Sequence, residues 1–168
     1  MNINKRLWML STALTLTMMS AKAQEILEPQ LPISNRSFAI LVDSETFKAC
    51  EQDILNYRAT LENEGLPSYI IHHPWTKPEQ LKQEIQKLYQ HNKLEGIVLI
   101  GEIPIPMIRK GQHLATAFKM DESYAIKDSS IPSDRYYDDF GLTFDYLKQD
   151  SLNKLLFYYD LAINANNK

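Results

Sequence analysis

The sequence predicts an α/β fold, a three-layer sandwich with helices above and below a mostly parallel sheet. Three observations carry this. Ile97-Val98-Leu99-Ile100 is an apolar run set between Gly96 and Gly101. It is too short for a helix and suits a strand covered on both faces. Phe38–Val42 and Tyr69–His72 are short segments of the same character. Between the three lie two segments with helical spacing, and the order β-α-β-α-β with short connections implies right-handed crossovers and parallel strands.

The amino terminus stands apart from that pattern. Met1–Arg6 carries Lys5 and Arg6, Leu7–Ser20 is largely apolar, and Ala21-Lys22-Ala23 ends in small residues. This is the pattern of a secretory signal peptide (residues 1–23) cleaved after Ala23, so the mature protein is expected to be secreted, periplasmic or at the cell surface. Ser11, Thr12, Thr15 and Thr17 interrupt the apolar stretch and argue against a membrane anchor. Removing the segment takes Lys5, Arg6 and Lys22 and no acid, so 15 positive charges face 21 negative ones, a net of −6. No basic cluster remains, which disfavours nucleic acid and anionic membranes as partners. Cys50 is the only cysteine, so no internal disulfide can form.

Residues 24–36, with Pro29 and Pro32, read as an extended lead-in to one domain spanning 37–168. After the first strand, Ser44 or Thr46 is placed to cap a helix whose apolar residues Phe47, Cys50, Ile54, Tyr57 and Leu61 share one face. Cys50 is thus expected to be a buried, inert thiol. Gly65 ends that helix as its C′ residue. Thr76 and Glu79 form a candidate capping box for the second helix, with Leu81, Ile85 and Leu88 inward. Beyond Ile100, Pro104 and Pro106 hold Ile103 and Ile105 extended, so the chain is expected to run as a stiff rod along the upper sheet edge. In open α/β sheets ligands bind at that edge, which singles out Glu102. Gln112–Met120 fits a short helix or a loop, and Asp121–Pro132 a polar mobile segment. Leu155–Tyr159 fits a further strand, and Asn164–Lys168 a polar tail.

Much familiar chemistry is absent from the residues. Neither G-x-G-x-x-G nor G-x-x-x-x-G-K-[ST] occurs, so the Rossmann-like strand order comes without a phosphate cradle, and no cofactor is expected. A nucleotide-binding reading would rest on strand order alone. There is no G-x-S-x-G elbow. His72 and His73 are strand neighbours that point to opposite faces and cannot share a metal ion. Asp138 and Asp139, with Asp145 and Asp150, are weak calcium candidates without the glycine and spacing of an EF-hand loop.

Two segments resemble a known family. Ile97-Val-Leu-Ile-Gly-Glu-Ile-Pro-Ile-Pro, followed by Pro132-Ser133-Asp134-Arg135-Tyr136-Tyr137, is similar to sequence in the gingipain-like cysteine peptidases of Bacteroidota. Gly101, Ser133, Asp134 and Tyr137 match that pattern, whereas Glu102 stands for a usual aspartate and Asp138 for a glycine. The resemblance implies a caspase-like, incomplete sheet and the amino-terminal portion of a secreted peptidase. Glu102, Asp134 and Tyr137 would border its peptide groove. The family's His-Gly base and cysteine nucleophile have no counterpart here, so no catalytic residue carries over and the chain would be inactive alone. An uncovered sheet edge would favour self-association. The alternative is a non-enzymatic secreted module that binds peptide or glycan through Trp75, Tyr136, Tyr137 and Phe140.

Overall fold

The computed structural model describes residues 24–111 and 121–162. The expected leader with its cleavage after Ala23, the Gln112–Met120 segment and the Asn164–Lys168 tail lie outside the described residues. Among the described residues, two four-stranded mixed sheets and three helices make up a mixed α/β architecture.

The first sheet comprises β1 (Glu25–Leu27), β2 (Ser37–Asp43), β3 (Ser68–His73) and β4 (Leu94–Ile100), in the order β1-β3-β2-β4. β2, β3 and β4 run parallel, while β1, drawn from the expected lead-in, pairs antiparallel with β3. β2 is central, and Ala39, Ile40, Leu41 and Val42 are fully buried. Their alternation divides the core. Ile40, Val42 and Ile70 pack with Phe47 and Ile54 of α1 (Ser44–Asn63). Ala39, Leu41 and Ile71 pack with Leu81, Ile85 and Leu88 of α2 (Pro78–His91). Each such aliphatic side chain contributes about 1.5–3 kcal/mol, and none brings a polar atom that needs a partner.

Helix entry differs from the expected caps. Asp43 is the N-cap of α1, its Oδ1 accepting from the Glu45 and Thr46 amides at 3.0 Å each. A carboxylate at the strand end reaches those donors one residue earlier than Ser44 could. At α2, Gln80 replaces Glu79 in the capping role. Its Oε1 accepts from the amides of Thr76 and Lys77 and from the Thr76 hydroxyl. Gly65 follows α1 with φ +80°, as its C′ position requires. Cys50, expected to be buried, is exposed. The backbone kinks there (φ −128°, ψ 26°), and the inward face runs through Phe47, Ile54, Arg58 and Glu62. Tyr57 is likewise outward.

The rod expected at Pro104–Pro106 is instead the entry to a second sheet. β5 (Ile105–Arg109), β6 (Ile131–Pro132), β7 (Phe144–Gln149) and β8 (Leu156–Leu161) stand in the order β6-β5-β8-β7. β5 and β8 are parallel, and the outer strands are antiparallel to them. Pre-proline restriction gives Ile105 the extended backbone that a strand uses, and its amide donates to Leu155 O at 2.7 Å. Asp121–Pro132, expected to be mobile, folds into turns that bury Ser129 and Ser130 and end in β6. Their hydroxyls donate to the carbonyls of Ala125 (3.1 Å) and Ile126 (2.6 Å).

The second sheet meets α2 through tyrosines. Tyr159 donates its hydroxyl to Glu79 Oε1 at 2.6 Å, which explains why Glu79 is not a cap. The single turn α3 (Arg135–Asp138) buries Tyr136 and Tyr137, and the Tyr137 hydroxyl donates to Pro104 O at 2.6 Å. Trp75 is buried too, its Nε1 donating to Val42 O at 2.9 Å.

Candidate functional site

β4 is the edge strand of the first sheet, and among the described residues no strand pairs with its outer side. In a parallel pairing alternate peptide groups point to one side, so roughly half of the β4 backbone groups point away from β2. A groove of about 900 Å³ runs along this edge. Ile97 and Leu99 of β4 line it together with Ile85 and Tyr89 of α2, residues of α3, and Phe140. Tyr89 is well exposed and its ring lies 5.3 Å from that of Phe140. Gly96 keeps the strand close to β2, since a Cβ there would stand 2.9 Å from the Phe38 ring.

The carboxylates Glu95, Asp134 and Asp138 also line the groove, and no Lys, Arg or His is among its lining residues. Glu95 lies 3.7 Å from Arg36, and Asp138 3.7 Å from Arg135, all about half exposed. Such surface pairs are weak and exchangeable.

A second, smaller hollow lies at the carboxyl ends of the parallel strands, about 170 Å³, bordered by Asp43, Trp75, Thr76 and Glu102. Its chemistry is already committed to structure. Asp43 Oδ2 accepts from the Glu102 amide at 2.8 Å while Oδ1 caps α1. Burial works to raise the Asp43 pKa, but hydrogen bonds from Thr46, Glu102 and Glu45 together hold it below the ordinary value. Gly101, at φ +87°, allows this joint, because a Cβ there would fall 1.8 Å from Asp43 Oδ2.

The three residues assigned to one groove are therefore divided. Asp134 and Tyr137 border the β4 groove, whereas Glu102 borders the hollow. Trp75, Tyr136 and Tyr137, offered as a recognition surface, are buried core residues. Of that set Phe140 is only partly buried and faces the β4 groove. Burial pushes the Tyr136 phenol up to about 12 and moves Tyr137 and Tyr159 in the same direction. Lys82, half-buried over the Tyr136 and Phe144 rings, is pushed down by the same cause, against the opposing pull of Asp139 and Asp138.

His72 stacks on Phe47 at 4.0 Å on the α1 side, while His73 meets Trp75 edge-on at 5.1 Å. Among the described residues no three His, Cys, Asp or Glu side chains come together to hold a metal ion. Asp139 Oδ1 accepts from the Gly141 amide, and Asp138 faces Arg135, so the two calcium candidates serve separate local contacts.

No family model matches the chain, and no solved structure matches it. A 94-residue alignment, 51% of this chain, is 29% identical to a protein of Oltmannsiellopsis viridis named ATP-dependent zinc metalloprotease FtsH homolog. It covers 4% of that protein, so the chain spans only a small part of this relative's length. The sequence contains no His-Glu-x-x-His and no G-x-x-x-x-G-K-[ST].

These findings overturn the resemblance to gingipain-like cysteine peptidases, and with it the assignment as the amino-terminal portion of such an enzyme. The similarity found is to a protein of a different class, and it is partial. The matching segments have a structural explanation instead. Gly101 makes the joint to Asp43, the Ile-Pro repeat starts β5, and Ser133 and Tyr137 bond back to Pro106 O and Pro104 O.

Proposed function

We propose that this chain is an exported binding module that accepts an extended peptide as an added strand on β4. The finer reading of β2 to β4 with α1 and α2 as a three-layer, Rossmann-like unit belongs to this proposal, since it makes β4 the rigid rim of a covered sheet. The observation that carries it is the unpaired outer side of β4 among the described residues, beside a groove lined by apolar residues of β4 and α2. Backbone bonding along an edge supplies affinity, and pockets for alternate side chains supply selectivity. Export is supported by Lys5 and Arg6, the apolar Leu7–Ser20 and the Ala21-Lys22-Ala23 ending.

The test is selection of random octapeptides on the full chain, followed by amide hydrogen exchange. Selected peptides should slow exchange within Leu94–Ile100, and Tyr89→Ala should weaken their binding at an unchanged melting temperature. Protection confined to other elements, or no selectable peptide, overturns the proposal. Recovery of material beginning at Gln24 outside the cytoplasm supports export, and retention of Met1 inside counts against it.

A further inference from the structure

Resting on the strand-accepting reading, we infer that the β4 groove selects peptides whose every second residue is a long cationic side chain. A strand laid beside β4 presents alternate residues to the two sides of the sheet. On the α2 side those residues enter the groove lined by Ile85, Ile97 and Leu99, beside the paired rings of Tyr89 and Phe140. That space is apolar at its floor and carries Glu95, Asp134 and Asp138 at its rim, with no basic residue lining it. An aliphatic stem on the floor with a charged tip at the rim is the shape of Lys or Arg, which bury their methylenes while the head stays solvated.

Asp134, the N-cap of α3, and Asp138, its last residue, both line the groove, so both carboxylates lie near the same stretch of an incoming strand. The cations near the rim do not compete strongly. Arg36 and Arg135 hold Glu95 and Asp138 only at 3.7 Å and from exposed positions. Lys82 is turned elsewhere, donating to Asp139 O at 3.1 Å over the rings of Tyr136 and Phe144. Charge also separates this occupant from a second copy of the chain. Two β4 edges placed together would set the same three carboxylates against each other, and like charges across an interface are costly.

Three capped octapeptides that alternate threonine with lysine, norleucine or glutamate provide the test. Their affinities for the full chain are measured by calorimetry at low and at about 0.5 M salt, with amide exchange recorded alongside. The lysine peptide should bind about five- to tenfold more tightly than the norleucine peptide at low salt, the size expected of two partly exposed charge pairs. High salt should erase that advantage. Asp134→Asn with Asp138→Asn, both at exposed positions, should also remove it without changing the norleucine affinity.

If all three peptides protect Leu94–Ile100 equally, the strand reading stands and the cationic preference is overturned. If no peptide protects β4, the strand reading fails and this inference fails with it. If β4 becomes protected with protein concentration alone, the occupant is a second copy, and the inference is likewise overturned.

Discussion

Both sheets have four strands, but different kinds of side chain hold them. In the first sheet the centre of the buried strands is aliphatic, β2 contributing Ala39, Ile40, Leu41 and Val42, with the polar groups Ser37, Asp43 and Ser68 at the strand ends. In the second the largest buried groups are Tyr158 and Tyr159, joined by Tyr136 and Tyr137 of the adjoining turn. Each phenol buries a large ring but brings a hydroxyl that must be matched. Tyr137 finds Pro104 O, Tyr159 finds Glu79 and Tyr158 lies near Asp150. One sheet therefore tolerates any well-fitting apolar side chain, and the other depends on particular pairings.

The sharpest way to break the first sheet is at the polar joint between Asp43 and Glu102. Gly101→Ala forces a β-carbon into Asp43 Oδ2 at a backbone angle that disfavours side chains. It should cost about 3 kcal/mol or more, read from chemical denaturation. For the second sheet, Tyr137→Phe leaves Pro104 O buried without its donor. The expected cost is about 1–3 kcal/mol, with the ring packing kept.

Opposite ends of the pH scale should distinguish the two. Tyr136 is raised from 10.0 to about 12 in the fold by burial. The folded state thus favours the neutral phenol, and that stabilisation is complete below pH 10 and lost as pH rises towards 12. Tyr137 and Tyr159 add in the same direction. Asp43 shifts the other way. Burial would raise it, yet its hydrogen bonds keep it below 3.8, so its contribution is present above that pH and lost as pH falls beneath it. Amide exchange should show the second sheet opening first in alkali and the Asp43–Glu102 joint loosening first in acid. The smallest effect belongs to Tyr89→Ala in the β4 groove, where stability should change by less than about 0.5 kcal/mol.

The same contrast explains what the amino-acid order made legible. β2, β3 and β4 are continuous apolar runs, and α1 and α2 carry a 3.6-residue period, so local pattern locates them. The strand expected at Leu155–Tyr159 falls within β8, but β5 holds Pro106 and β6 is two residues long, and no periodicity separates either from a loop. Their pairing is also remote, with Ile105 beside Leu156. Cys50 lies outside the inward face because a kink inside α1 shifts that face, and nothing at that residue announces it. In the candidate site, Asp134 and Tyr137 border the groove, but Glu102 does not. Strand order decides which edge is open, and strand order is a long-range property that no local run encodes.

Trp75 bridges the end of β2 and the entry to α2, with its indole on Val42 O and its ring against His73. The other tryptophan, Trp8, falls in the stretch that export would remove. The processed chain would then carry a single tryptophan, shielded from water, at the junction between β2 and the entry to α2. Burial holds the neighbouring imidazole below its ordinary 6.5, so a proton arriving there weakens the fold as it binds. Light from one residue would thus report on the protonation of His73 together with the integrity of the sheet beneath it.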